Sequence, residues 1–323
     1  MKIIALEEAI VVPGQDLIME HKTHPEFSQH LSELKDIDAK RVEEMEKAGI
    51  DLMVLSVTTP GLQSLALTSN LKDCAKKWND YLVKKVQEHP KKFRAFACIP
   101  TYATELGIHE IERLKGVSEM VGCMLNGYDS SGYTPAKYLD EPPYEDFWAC
   151  IEENDIPVYI HPRGIPGNRV ATYSPYPALH GSSWGFHVET GEHILRLMLS
   201  GLFDRHPKLK IIIGHMGEML PFWAWRLDHR FKEEGWLEKT GCQKTITEYL
   251  NSNIYITTSG YFHTPGLMHA ISTMGVDRMM FSVDYPYEDC KKATDWLRTI
   301  PLSEEDKKKI SYENASQLLK LNG

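Results

Sequence analysis

No stretch of this chain stays apolar for the roughly 18 residues that a bilayer-spanning helix needs, so membrane spans of that kind are not expected. The short apolar run after Lys2 meets Glu7 and Glu8 before it could serve as the core of a signal peptide. Cysteine is sparse and scattered: Cys74, Cys98, Cys123, Cys150, Cys242 and Cys290 form no C-x-x-C pair. That argues against a disulfide framework or a thiolate metal site and fits a reducing cytoplasm. Basic residues are outnumbered, 36 to 45, and the net charge of -9 disfavours nucleic acid and anionic membranes as partners. No G-x-G-x-x-G follows the first strand-like segment, which removes the usual signature of a dinucleotide-binding open sheet. Repeats, low-complexity tracts and linkers are absent too.

What the chain does have is alternation. Apolar segments of strand length occur at 3–6, 52–57, 93–99, 120–125, 157–161, 209–215, 254–258 and 278–284. Helical patterns fall between them, at 39–48, 71–88, 105–114, 144–154, 189–203, 221–234, 265–274 and 291–297, with a last helix over 303–319. Strands apolar throughout and followed by helices read as parallel strands covered on the outside. Eight such units in 323 residues, 42% of them hydrophobic, predict a single-domain (β/α)8 TIM barrel over residues 1–323. Two connections, 13–37 and 162–188, are too long for plain turns and are expected to fold over the mouth of the barrel.

Four of the strand segments end on a chemically active residue: Glu7, His161, His215 and Asp284. An apolar strand that stops on Glu, His or Asp is costly unless that side chain is liganded, paired or solvated. In a barrel the C-terminal ends of strands 1, 5, 6 and 8 converge on one axis, so these residues predict one site. Glu7 is chosen over Glu8 as the inward carboxylate because it extends the register of Ile3 and Ala5. Two carboxylates and an imidazole (Glu7, Asp284 and His161) can hold a divalent cation with open positions. His215 lies in Gly214-His215-Met216-Gly217-Glu218, where Glu218 on a first helical turn would orient the imidazole for proton transfer. Asn126, Arg163 and Arg226 fall just past strands 4, 5 and 6, where a guanidinium can clamp a substrate carboxylate.

These residues lie in longer familiar stretches: Ala5-Leu6-Glu7-Glu8-Ala9, Tyr159-Ile160-His161-Pro162-Arg163, Ile213-Gly214-His215-Met216-Gly217-Glu218, Trp225-Arg226-Leu227-Asp228-His229-Arg230 and Phe281-Ser282-Val283-Asp284-Tyr285-Pro286-Tyr287-Glu288. In them the chain resembles the decarboxylase branch of the amidohydrolase superfamily, the aminocarboxymuconate-semialdehyde decarboxylase family. Within it, the resemblance is to the ortho-hydroxybenzoate decarboxylases acting on 2,3-dihydroxybenzoate, γ-resorcylate, salicylate or 5-carboxyvanillate. The resemblance implies one divalent ion (Zn, Mn or Mg), no organic cofactor, a small aromatic carboxylate as substrate, and a homodimer or homotetramer. It implies Glu7, His161 and Asp284 as ligands, with His215 and Glu218 handling protons beside them. It further implies that the substrate's carboxylate and phenolate chelate the ion, that Asp284 protonates the ring carbon, and that bicarbonate at high concentration reverses the reaction. Trp184 and Phe186 would wall off water, and Tyr287 and Arg226 would lie near a subunit boundary. Ala9 stands where many members carry a histidine, a departure like that of the 2,3-dihydroxybenzoate and salicylate enzymes, which shifts the site toward oxygen donors. The alternatives are a metal-dependent hydrolase or hydratase acting on a lactone or oxo-acid, and a catalytically decayed binder of small aromatics.

Overall fold

The structure is a computed structural model that describes residues 1–15, 25–65, 71–130 and 135–321. Eight strands form one sheet in chain order: β1 Ile4–Ile10, β2 Leu52–Val57, β3 Phe93–Cys98, β4 Met120–Asn126, β5 Val158–His161, β6 Ile211–Ile213, β7 Ile254–Thr257 and β8 Met279–Met280. Each neighbouring pair is parallel, and the helices lie between successive strands, so the (β/α)8 barrel expected from the alternation is present. Among the described residues no helix is long and apolar enough to cross a membrane.

The apolar character of the strands has two sources. Ile4, Leu6, Val54, Phe96, Met124, Tyr159, Ile212 and Met280 pack together inside the barrel. Their strand neighbours, including Ile3, Ala5, Met53, Leu55, Ala95, Val158, Ile160, Ile211 and Ile213, pack outward against the helices. Both faces of every strand are therefore buried. Ala315, Leu318 and Leu319 of the final helical segment join the inner set and close the end where the strands begin.

This register corrects the reasoning about Glu7. The inward residues of β1 are Ile4 and Leu6, not Ile3 and Ala5. A register shift between Ala5 and Glu8 brings Glu7 to the inside, because the extra residue of a bulge reverses the parity of the strand beyond it. β1 also does not stop at the carboxylates but runs through them to Ile10.

Glu8 explains why. Its fully buried carboxylate accepts from Ser282 Oγ and Val283 N at 3.0 Å and from Tyr285 N at 3.1 Å. Ala9 N donates to Tyr285 O at 2.8 Å and Glu7 N to Ser282 Oγ at 2.7 Å. The seam between β1 and the chain after β8 is closed by a side chain where β8 is too short to supply a ladder.

Other departures are local. The pattern over 189–203 splits into helices Gly185–Leu199 and Leu202–Arg205, because Gly201 takes a left-handed φ of 72° between them. The last helix is interrupted by a wider π-helical turn, Lys309–Glu313. Helices Pro25–Lys35 and Ile246–Asn253 were not anticipated. The first lies inside the long connection after β1. The second carries a capping box between Thr245 and Glu248, a T-x-x-E signal visible in the sequence.

Candidate active site

Glu7 is the hub of the barrel mouth. Its carboxylate is buried, with Oε2 accepting from Tyr159 OH. Tyr159 points inward from β5, and its hydroxyl also meets Thr257 Oγ1 at 2.8 Å. The other oxygen, Oε1, has no well-formed hydrogen bond among the described residues. Two imidazole nitrogens face it instead: His161 Nε2 at 3.2 Å and His215 Nε2 at 3.4 Å. Asp284 Oδ2 lies 3.6 Å from His215 Nε2. Glu7, His215 and Asp284 each offer a donor atom within 4.8 Å of the others, and His161 joins them through Glu7.

The tautomers suit a cation. His161 Nδ1 lies 2.7 Å from Pro162 O, so it carries the proton and leaves the Nε2 lone pair facing Glu7. His215 Nδ1 is 2.6 Å from Glu218 Oε1, which fixes the ring with Nε2 toward Glu7 and Asp284. A buried carboxylate oxygen without a hydrogen bond, faced by the His161 lone pair and a second carboxylate, is a donor set with one component to add. The residues fit a divalent ion, and nothing in the set is soft enough to demand a thiolate-loving metal.

His215 and Glu218 owe their alignment to an uncommon backbone. His215, Met216, Gly217, Glu218 and Met219 all have positive φ, from 47° to 84°. For the non-glycine residues that conformation costs about 1–2 kcal/mol each, and such strain concentrates at functional sites. Glu218 is thus not on a first helical turn as expected; helix Leu220–Glu233 begins beyond it. The left-handed turn still brings residues three apart onto one side.

Electrostatics follow from burial and these contacts. Burial pushes the Asp284 carboxyl up, helped by Glu7 and opposed by His215, so its acid form gains stability. Burial also acts to raise Glu218, but His215 and His187 outweigh it and hold the carboxyl at about 2. His215 is held well above the usual histidine range: burial disfavours its charge, and Glu218 and Glu7 more than compensate.

Above the cluster opens a cavity of about 560 Å³, lined by His161, His215 and Asp284 on its floor and by Phe27, Phe186, Ile165 and Tyr128 on its walls. Arg163 and Tyr287, both expected near substrate, line it as well. Arg163 donates to Tyr128 O at 2.7 Å and stacks over the Tyr128 ring, and Tyr287 OH meets Thr58 Oγ1 at 2.9 Å. Three other expected residues are placed elsewhere. Trp184 is 42% exposed and does not line the cavity, because helix Gly185–Leu199 begins beside it and turns Phe186 inward instead. Arg226 is exposed on helix Leu220–Glu233, away from this chain's own mouth. Asn126 is buried beside Gly61, its side chain donating to Val57 O at 3.3 Å. Sequence reasoning missed His30, which lines the cavity, and did not single out His187 among the histidines near the mouth; its Nδ1 lies 2.6 Å from Glu218 Oε2.

Gly214 makes room for Glu7. A Cβ there would stand 2.5 Å from Glu7 Oε2 and 3.1 Å from Tyr159 OH. Gly214→Ala is expected to cost about 1–3 kcal/mol by overpacking and to weaken metal binding by displacing Glu7. Thermal melts and metal content after dialysis would check both effects.

Glu189 is buried behind Gly127 and Arg163, and its Oε1 has no hydrogen-bond partner among the described residues. Burial pushes its carboxyl from 4.5 up to about 8, against a lowering influence from Arg163. The fold thus favours the protonated form, so the stability gained is complete below the unfolded value and is lost as pH rises through about 8. Asp129, raised by burial to about 7, acts with the same sign. The contribution of these two groups to the melting temperature is expected to fall between about pH 4.5 and pH 8, and Glu189→Gln should flatten that slope. An unchanged slope in the variant would contradict the assignment.

The amidohydrolase family model matches residues 25–321. The chain is 41% identical over 296 residues to the γ-resorcylate decarboxylase of Polaromonas sp. (strain JS666), covering 90% of each. Among solved structures, it superposes on 2,6-dihydroxybenzoate decarboxylase from Rhizobium with a TM-score of 0.92, 36% identity and 100% of both chains covered. A dihydroxybenzoic acid decarboxylase from Polaromonas sp. JS666, holding manganese and the inhibitor 2-nitroresorcinol, gives a TM-score of 0.93 at 38% identity, covering 100% of this chain and 98% of that one.

Proposed function

This chain belongs to the amidohydrolase family, and we propose that it is a metal-dependent, non-oxidative decarboxylase of an ortho-hydroxybenzoate, with 2,6-dihydroxybenzoate the first substrate to test. The observation that carries the proposal is the unsatisfied Glu7 Oε1, ringed by His161, His215 and Asp284 at the floor of an aromatic-walled cavity. Relatives named as γ-resorcylate and 2,6-dihydroxybenzoate decarboxylases support it.

In this reading Glu7, His161 and Asp284 hold one divalent ion. When bound, that ion neutralises and orients the substrate's carboxylate and phenolate oxygens. Phe186, Phe27 and Ile165 on the cavity walls would enclose the ring and exclude water, and Arg163 offers a cation at the cavity wall. Asp284, as the acid, transfers its proton to the ring carbon bearing the carboxylate. A C–H bond forms there and aromaticity is lost. The C–C bond to the carboxylate then breaks, CO₂ departs, and its electron pair restores the ring. His215, oriented by Glu218, faces Asp284 and is placed to return a proton to it after each transfer, while burial keeps the acid form in reach.

The whole chain is proposed to act as one cytoplasmic domain that pairs with a second copy of itself. Helix Leu220–Glu233 exposes Phe222, Trp223 and Trp225, at 71%, 49% and 72%, beside Met268 at 39%. A monomer rarely leaves so much contiguous aromatic surface in water. Arg226 lies on this helix, so its expected place at a subunit boundary agrees with its exposure.

The test is incubation of the manganese-loaded protein with a panel of hydroxybenzoates and lactones. CO₂ release from an ortho-hydroxybenzoate is expected. Lactone hydrolysis without CO₂ release would contradict the proposal.

A further inference from the structure

His187 is the point where the long connection after β5 grips the turn that carries His215. Helix Gly185–Leu199 starts at a glycine because a Cβ there would collide with the His180 carbonyl. Two residues into that helix, His187 Nδ1 reaches Glu218 Oε2 at 2.6 Å, while His215 Nδ1 takes the other oxygen, Oε1, also at 2.6 Å. The Glu218 side chain is fully buried. Each of its oxygens is therefore committed to one imidazole, and the two imidazoles come from different elements. A carboxylate clamped at both ends cannot rotate, and the His215 ring it holds keeps Nε2 aimed at Glu7 and Asp284.

We infer that His187 is a positioning residue for the proton transfer: through Glu218 it fixes the orientation of His215, and it makes the order of the loop after β5 a condition for turnover. The same connection contributes Ser182 and Phe186 to the cavity lining, so closure over the ring and alignment of His215 are one event. Without His187, Glu218 Oε2 is left buried with an unmet acceptor, and the carboxylate is free to turn away from His215. This inference rests on the decarboxylase reading.

Two amide replacements separate positioning from mere packing. The amide nitrogen of Asn occupies roughly the place of histidine Nδ1, whereas that of Gln mimics Nε2 and misses Glu218. His187→Gln is expected to lower kcat about 10- to 100-fold, the usual effect of losing a partner behind a site residue, with KM and bound manganese unchanged. His187→Asn should recover most of that loss. In proton NMR, the downfield Nδ1–H resonance of His215 should broaden or move upfield in the Gln variant and return in the Asn variant. Wild-type kcat in His187→Gln, or equal losses in both variants accompanied by loss of metal or of melting temperature, would overturn the positioning role while leaving decarboxylation standing. Failure of the wild-type protein to release CO₂ from any hydroxybenzoate would instead sink the decarboxylase reading, and the inference with it.

Discussion

Asp284→Asn is expected to leave a folded protein that no longer decarboxylates, with kcat reduced about 10³-fold or more. The two side chains are nearly the same shape, so packing around the mouth is preserved. The backbone matters as well: Asp284 has a φ of 80°, a left-handed conformation that asparagine tolerates better than most residues. An amide cannot supply the acidic proton that the ring carbon needs, and general acid catalysis is typically worth about 10²–10⁴-fold. It is also a poorer ligand than a carboxylate, which adds to the loss. Melting temperature and CO₂ release, measured side by side, check the two halves of this expectation. A variant retaining more than a small fraction of wild-type turnover would remove Asp284 from its role.

Stripping the divalent ion is expected to have an effect at least as large. Glu7, His161, His215 and Asp284 bring more negative charge and more lone pairs to one point than they can satisfy among themselves. Without a cation, nothing neutralises the charge that develops on the substrate's oxygens. Lewis-acid stabilisation is worth several kcal/mol, about 10³-fold or more in rate. Activity should disappear on chelation and return with Mn²⁺. Saturating Mn²⁺ should also raise the melting temperature, since an ion that binds only the folded state stabilises it by about 2.7 kcal/mol at a hundred times its dissociation constant. His161→Ala should reproduce the stripped state even in excess Mn²⁺, because it removes the one imidazole whose Nδ1 is already spent on a backbone carbonyl. Full activity after exhaustive chelation would contradict the metal requirement.

The barrel was legible because its physics is repetitive. Strands buried on both faces must be apolar throughout, and eight such runs separated by helical patterns leave few architectures open. What could not be read from local pattern was parity. Glu7 was assigned to the inside on the wrong register, and only the shift between Ala5 and Glu8 makes the choice correct. Bulges leave no mark in a run such as Ile-Ala-Leu-Glu-Glu. Glu8 had no local sign of its seam-closing role, since its partners lie more than 270 residues away. His187 could not be singled out for the same reason: its partner Glu218 is 31 residues on, and nothing around it distinguishes it from the other histidines near the mouth. Trp184 and Phe186 looked equivalent until the helix start at Gly185 set them on different sides. Helix Ile246–Asn253, by contrast, was missed although Thr245 and Glu248 announced it.

The most direct measurement is anomalous diffraction at the manganese edge from crystals soaked in Mn²⁺. One strong peak per chain is expected, in direct coordination contact with Glu7 Oε1, His161 Nε2 and an Asp284 oxygen. A peak elsewhere, or none at this point with the ion in excess, would contradict the account.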